Sequence, residues 1–459
     1  MPPQPKLNVS GLRGIWSESL NEAIITDYVS AFARFVKKTD GWRILIGRDG
    51  RATGPQIREI VVGALSAEGM EITDGGILPT PTVIFSARRL KFDGAVIITA
   101  SHNPIEYNGL KFINGKSFFT DENEVREIES LCVKNDQKIF NVDPQIISDN
   151  TLISQHIKVI VEKVSVSAIR ARHFKVTADP VNASGCLATP ELLRELGCES
   201  FIINGEPTGA FARPPEPLPA NLGDLAQAVL KNKADIGFAQ DPDADRLVVV
   251  NEKGQVLSEE FTLALAVESV LSLPRSDLKN SQGPTFKSNI VTNLSTSRVI
   301  DDIARKYGAR VARTKIGEVN VVRGILEHKA VIGGEGNGGV IYPEINLARD
   351  SLTGMALILD LLAIRQKTVS EIIATFPHYF GRKEKFELKG NIEMLYQTFL
   401  KKFPEAQSNT LDGLRLDFPD KSWFHIRPSN TEPILRVIGE APNQSVLDRL
   451  FADARVLVT

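Results

Sequence analysis

Cysteine is nearly absent from this 459-residue chain. Cys132, Cys186 and Cys198 are the three it has, too few for a disulfide framework and without the CxxC spacing of a zinc site. An excess of one charge is missing too: 54 Lys and Arg stand against 56 Asp and Glu, and a net charge of -2 sets up no basic field for nucleic acid. Long apolar runs are also lacking, since the longest are interrupted by Glu268 or Asp360 well short of a bilayer span. The start, MPPQPKLNVSGLRG, has neither the charged nor the apolar block of a signal peptide, so a cytoplasmic protein without a membrane partner is expected. Neither a P-loop, a kinase signature nor a GxSxG elbow occurs, which argues against ATP as a phosphoryl donor and against a hydrolase triad.

What the chain does have is length and an internal repeat. Its 459 residues exceed what one hydrophobic core covers, so about three or four domains are expected. A helix-like run, a Gly and a short β-rich run recur three times, in IREIVVGALSAEG with MEITDGG, TPELLRELG with CESFIING, and TSRVIDDIARKYG with ARVARTKIG. The strand candidates RILIGRD, FKVTADP and SNIVTNL precede these units, as βαβ connections require. The expected fold class is α/β: three related mixed α/β domains with largely parallel sheets and a smaller C-terminal α+β domain, around a central cleft. The expected boundaries are 1–149, 150–252, 253–368 and 369–459. The Pro-rich stretch RPPEPLP at 213–219 reads as an exposed loop inside the second domain.

Each domain carries one polar loop after a strand-like run, and open α/β sheets bind ligands at the carboxyl ends of their strands. TASHNP, at 99–104, exposes the Ser101 hydroxyl at a strand exit, although the same pattern also fits a plain turn or helix start. DPDADR, at 241–246, crowds Asp241, Asp243 and Asp245 together, which suits a hard cation such as Mg²⁺ or Ca²⁺, with Arg246 beside them to balance charge or face a phosphoryl group. Glu252 even falls at the twelfth position of an EF-hand loop, but Arg246 occupies the sixth, where Gly is needed, and the flanks are strands. GGEGNGG, at 333–339, offers Glu335 and Asn337 to sugar hydroxyls. RPSNTEP, at 427–433, packs Arg427, Ser429, Asn430 and Thr431 into one turn with Arg436 behind, a donor set for a phosphate dianion.

A hydroxyl, a metal site, a polyol loop and a phosphate loop are the components of phosphoryl transfer on a sugar phosphate. Along essentially its whole length, and in this motif order, the chain resembles the α-D-phosphohexomutases. The resemblance implies that Ser101 is phosphorylated in the active enzyme and that Mg²⁺ is held by Asp241, Asp243, Asp245 and the phosphoserine. It implies that Glu335 and Asn337 read the sugar and that the fourth loop holds the substrate's phosphate. It further implies roles for Arg13 in SGLRG and Lys111 in YNGLKF near the phosphoserine, and for Lys315 in RTKIG at the sugar. Lys111, Arg13 or His102 is expected to handle the proton of the sugar hydroxyl, with Lys111 the choice. A hexose 1,6-bisphosphate is expected as activator, and a monomer or homodimer as the assembly. GEGNGG looks more like phosphoglucosamine mutases than like enzymes with Ser at the second polar position and His after the last Gly, so glucosamine 6-phosphate and 1-phosphate are the expected pair. Phosphomannomutase or phosphoglucomutase activity is the alternative, and a non-catalytic sugar-phosphate binding protein the more distant one. A hinge at about residue 370 is expected, because a bisphosphate must turn round without escaping.

Overall fold

The computed structural model describes residues 5–132, 145–272, 289–387, 390–428 and 434–458. The first sheet holds β1 (Leu12–Ile15), β2 (Arg43–Arg48), β3 (Glu71–Ile77), β4 (Gly94–Ile98), β5 (Tyr107–Ile113) and β6 (Ile146–Ser148) in the order β1-β5-β4-β2-β3-β6. The second holds β7 (Lys175–Asp179), β8 (Glu199–Ile202), β9 (Ile236–Gln240) and β10 (Leu247–Asn251) in the order β10-β9-β7-β8. In the third, β11 (Asn289–Asn293), β12 (Arg310–Thr314) and β13 (Ile332–Glu335) run parallel as β12-β11-β13, and a short strand, β14 (Gly339–Ile341), follows in the chain.

The repeat is visible in this wiring. In each sheet the first strand of the repeat (β2, β7 or β11) pairs in parallel with the second on one side and the third on the other. A helix enters the second strand each time through a glycine in the left-handed region: Gly69 at φ +70°, Gly197 at +75° and Gly308 at +68°. No L side chain adopts that backbone without strain, which is why Gly recurs there. Polar residues follow or end the third strand of each repeat, β4, β9 or β13, so one topological position is reused. β5 and β10 then return antiparallel, making the first two sheets mixed at that edge.

The fourth sheet is antiparallel throughout, with β15 (Phe380–Glu387), β16 (Gln407–Asn409), β17 (Leu414–Asp417), β18 (Trp423–Pro428) and β19 (Ile434–Ala441) in the order β15-β19-β18-β17-β16. Helices Ile392–Lys402 and Gln444–Val458 cover one face, packing Phe399 and Phe451 on Phe424 of β18.

By compactness the chain divides into two units, residues 1–269 with 338–371 and residues 270–337 with 372–459. The core of the first unit includes the helix Glu22–Lys37, which buries Ile25, Val29, Phe32 and Val36 at helical spacing and stacks Phe32 on Phe112 at 4.6 Å. Within the second unit the C-terminal sheet is fastened to the third by polar contacts. Ser295 Oγ lies 2.7 Å from His425 Nδ1, Ser297 Oγ donates to Glu440 at 2.8 Å, and Tyr379 Oη donates to Asp302 at 2.6 Å. Arg415, 2% exposed, donates to the Leu294 carbonyl. Buried polar bonds of this kind are costly to break, so a free swing of everything after residue 370 does not fit this unit. Among the described residues no helix is long and apolar enough to cross a membrane.

Candidate active site

In the first unit the strand exits after β4 and β9 bring Ser101 beside the aspartates. Ser101 is 2% exposed and sits in the left-handed region at φ +52°, a conformation that costs a non-Gly residue about 1 kcal/mol and persists only where neighbours impose it. The imposing neighbour is Arg51, a residue the sequence reading missed. Its Nη1 donates to the carbonyls of Pro104 and Tyr107 and its Nη2 to those of Ser101 and Asn103, all at 2.7 Å. Its Nε donates to Asp49 at 3.1 Å. Asp49 also accepts from Thr99 Oγ1 at 2.7 Å, and Thr99 Oγ1 accepts from the Ser101 amide at 2.8 Å. All five guanidinium donors are thus spent on one loop and its support.

The result aims Ser101 Oγ at the acidic loop, 3.4 Å from Asp241 Oδ2 and 3.4 Å from His102 Nδ1. Asp241, Asp243 and Asp245 are fully buried in the turn of the β9–β10 hairpin, and their candidate ligand oxygens all lie within 4.8 Å of one another. Asp243 Oδ1 and Asp245 Oδ1 are buried without a hydrogen-bond partner. Buried carboxylate oxygens left unpaired are costly, and three hard oxygens around one point are what an oxygen-preferring cation requires. The triad can hold a metal ion. Its own supports come from elsewhere in the unit: Lys111 Nζ donates to Asp243 Oδ2 at 2.6 Å, Thr80 Oγ1 donates to the same oxygen at 2.8 Å, and Arg349 donates to Asp245. Arg13 reaches the Ser101 loop through Asn103 Oδ1 at 2.9 Å.

Burial, then the charges of Asp245 and Asp243, push the Asp241 carboxyl well above its usual range, while the Lys111 ammonium holds Asp243 below it against the opposing effect of burial. A carboxyl raised in the fold lets the unfolded chain ionise first. Stability therefore falls as pH rises from the ordinary carboxylate value, about 4, towards the raised one, and stays reduced above it. Asp241→Asn keeps an oxygen for the amides of Asp245 and Arg246. At pH 7 in EDTA this variant should melt about 2 °C or more above the parent and should lose the rise in melting temperature that a divalent cation gives the parent. Calorimetry with and without cation checks both, and a lower melting point in EDTA would contradict the electrostatic account.

In the second unit, Glu335 ends β13, is buried, and accepts from Asn293 Nδ2 at 2.8 Å and the Gly317 amide at 3.1 Å. Gly317 belongs to the turn that presents the exposed Lys315, and the Ile316 amide of that turn donates to Asp412 at 2.8 Å. Asp412 in turn lies 3.9 Å from Arg427 Nε. The sugar-loop and phosphate-loop candidates are thereby linked through one carboxylate. Asn337 is half-buried beside Glu335. Arg427 and Arg436 are direct cross-strand partners in β18 and β19, and Lys385 of β15 pairs with Arg436 from the other side. The register thus sets three cations, Lys385, Arg436 and Arg427, side by side on one face, a donor set that suits an anion. Lys385 escaped the sequence reading because only the strand register places it there. Ser429, Asn430 and Thr431 lie outside the described residues.

Comparison with known proteins gives one answer along the chain. The phosphoglucomutase/phosphomannomutase family matches in all four of its parts: alpha/beta/alpha domain I over residues 4–139, domain II over 154–254, domain III over 266–379 and the C-terminal domain over 387–456. A Thermococcus kodakarensis protein named phosphoglucomutase/phosphomannomutase is 35% identical over 95% of this chain and 94% of its own. A Sulfurisphaera tokodaii phosphoglucosamine/phosphogalactosamine mutase is 32% identical over 98% of both. The crystal structure of a phosphoglucomutase/phosphomannomutase family protein from Burkholderia thailandensis superimposes with a TM-score of 0.86 at 26% identity, covering 100% of this chain and 97% of that one.

Proposed function

The chain belongs to the phosphoglucomutase/phosphomannomutase family, and from that premise we propose that it interconverts glucosamine 6-phosphate and glucosamine 1-phosphate through phosphoserine 101 and an enzyme-bound bisphosphate. The observation that carries this reading is the buried Ser101 hydroxyl, 3.4 Å from Asp241 Oδ2 of an acidic triad in which two buried carboxylate oxygens accept no hydrogen bond. A hydrolytic serine would need a base and no such triad.

Mg²⁺ on Asp241, Asp243, Asp245 and an oxygen of phosphoserine 101 would supply charge stabilisation to the phosphoryl in transfer. The protein's own part is positional and electrostatic. The free hydroxyl oxygen of the sugar phosphate forms a bond to phosphorus as the bond from phosphorus to Ser101 Oγ breaks, giving the bisphosphate. Arg13 and Arg246 face the charge on the phosphoryl oxygens. Lys111, the residue first chosen for the proton, has its ammonium committed to Asp243 and lies 3.8 Å from Asp245, so we assign it to charge balance. His102 is the base beside Ser101 and takes the proton of the sugar hydroxyl. The bisphosphate turns, the second phosphoryl returns to Ser101, and the proton goes back. Lys315, Glu335 and Asn337 hold the sugar, while Arg427, Arg436 and the loop with Ser429, Asn430 and Thr431 hold the phosphate that is not reacting. A hexose 1,6-bisphosphate would recharge enzyme that has lost its phosphoserine.

The Glu335-Gly336-Asn337 pattern and the name of the Sulfurisphaera relative support the hexosamine substrate; the name of the Thermococcus relative supports glucose or mannose phosphates as the second reading. A coupled assay on glucosamine, glucose and mannose 1-phosphates, each with Mg²⁺ and its matching bisphosphate, should run fastest with glucosamine. Equal rates would remove the preference, and no turnover with any would return the chain to a binding protein.

Without the phosphoryl group, burial, then Arg246 and Arg13, push the His102 imidazolium down to about 2, so the ring is neutral and open to a proton, and the phosphoryl charge that offsets those two arginines strengthens it as a base during transfer. The kcat profile should then show no limb from His102 above pH 5. An acid limb near pH 6 would report the substrate phosphate, whose second ionisation is about 6, and should persist at a lower plateau in His102→Gln. A limb that disappears in that variant would refute the assignment.

A further inference from the structure

The long loop that contains the Pro-rich stretch 213–219 exposes Pro214, Leu218 and Pro219, as expected, while its other side is built into the Ser101 site. It begins at Asn204 and runs through Pro207, Pro214, Pro215, Pro217 and Pro219. The Gly209 amide donates to Asn182 at 3.0 Å, and Asn182 Nδ2 donates to the Ala210 carbonyl at 2.9 Å. Gly209, at φ +72°, lies so close that a Cβ there would stand 2.2 Å from the Gly50 carbonyl oxygen. Phe211 then packs its ring 5.0 Å from the Arg51 guanidinium, on the residue that holds the Ser101 loop. Arg213, 7% exposed, donates to Asp179 Oδ2 and to the Gln240 carbonyl, both at 2.7 Å, one residue before Asp241. A segment anchored this often, with four prolines between residues 214 and 219, is stiff.

It delivers one carboxylate. Glu216, its backbone carbonyl held by Asn221 Nδ2 at 2.9 Å, accepts from Arg246 Nη1 at 3.0 Å and stands 4.0 Å from His102 Nε2. Besides Glu216, Arg246 is held by its backbone, whose amide donates to Asp241 Oδ1 at 3.1 Å, and by an ion pair from Nε to Asp245 Oδ1 at 3.9 Å; that buried Nε makes no hydrogen bond.

We propose that Glu216 is a positioning residue for phosphoryl transfer, holding the Arg246 guanidinium beside the metal triad and the Ser101 loop so that it faces the phosphoryl group. This rests on the proposed function. The test uses full-length protein with Ser101 phosphorylated to the same measured extent, and compares Glu216→Gln, Glu216→Asp, Arg246→Ala and the double variant Glu216→Gln/Arg246→Ala. Glu216→Gln should lower kcat about tenfold with KM for glucosamine 1-phosphate and the melting temperature near those of the parent, and Glu216→Asp should recover part of the loss. Because Glu216 acts through Arg246, the double variant should be no slower than Arg246→Ala. Parent-level kcat in Glu216→Gln, additive losses in the double variant, or a raised KM at unchanged kcat would each overturn the proposal. Parent turnover is measured first: its absence overturns the function reading itself, whereas its presence confines any failure to Glu216.

Discussion

Ser101→Ala should lower mutase turnover by about 10⁴-fold or more, the scale on which loss of a covalent nucleophile acts. The two half-reactions share one acceptor, and without Ser101 Oγ there is no group on the protein to take or return a phosphoryl. The loss should be in kcat, with substrate binding largely retained, because the sugar and phosphate contacts proposed for Lys315, Glu335, Arg427 and Arg436 are untouched. Two observations make the variant clean. Alanine and serine meet the same backbone strain at φ +52°, so the exchange adds none. The hydroxyl itself makes only long contacts, 3.4 Å to Asp241 and to His102, so its loss strands no strong partner. Ser101→Gly is the matching control: it should be as inactive yet about 1 kcal/mol more stable, since glycine adopts the left-handed region freely. Mass spectrometry after incubation with the bisphosphate should find one phosphoryl on the parent and none on either variant. Full turnover in Ser101→Ala would end the phosphoserine mechanism.

Legibility in the sequence tracked the range of the interactions. The TASHNP and DPDADR loops could be read because each is a polar run between two apolar strands, and the helix–Gly–strand repeat because a left-handed cap is a local demand. GGEGNGG was read as a loop from its glycines, yet Gly333 and Gly334 lie inside β13, paired with Val291 and Thr292. Glycine is required at 333 by packing rather than by a turn, since a Cβ there would meet the Val291 carbonyl at 2.6 Å. Arg349 and Lys385 left no local mark: one reaches Asp245 across 104 residues, and the other joins Arg436 and Arg427 only through strand register. The hinge expected near residue 370 was an inference from mechanism, and the bonds of Ser295, Ser297 and Asp302 to the C-terminal domain do not fit it. The Pro-rich stretch is a loop with Pro214, Leu218 and Pro219 exposed, as its composition indicates, but prolines do not say what the other side of a loop packs against.

Arg51 is where that gap between sequence and structure has its largest consequence. Arg51→Lys should lower kcat by about 10²-fold, the cost of misplacing a reacting group by about 1 Å, with KM and metal affinity within about threefold of the parent. A lysine keeps the charge opposite Asp49 but offers three donors where five are used, and it cannot reach four carbonyls from a planar fork. The loop can then relax the Ser101 backbone and carry Oγ away from Asp241. A loss of stability alone would mimic this, so a second pair of variants separates the two. Arg51→Met leaves Asp49 fully buried without its cation and should cost about 3–5 kcal/mol. Adding Asp49→Asn removes the stranded charge, and much of that stability should return, because a buried ion pair replaced as a unit is often neutral. Turnover should not return with it, since no side chain then gathers the carbonyls of Ser101, Asn103, Pro104 and Tyr107. Recovery of kcat in step with the melting temperature would instead make Arg51 a residue of the fold and not of the reaction.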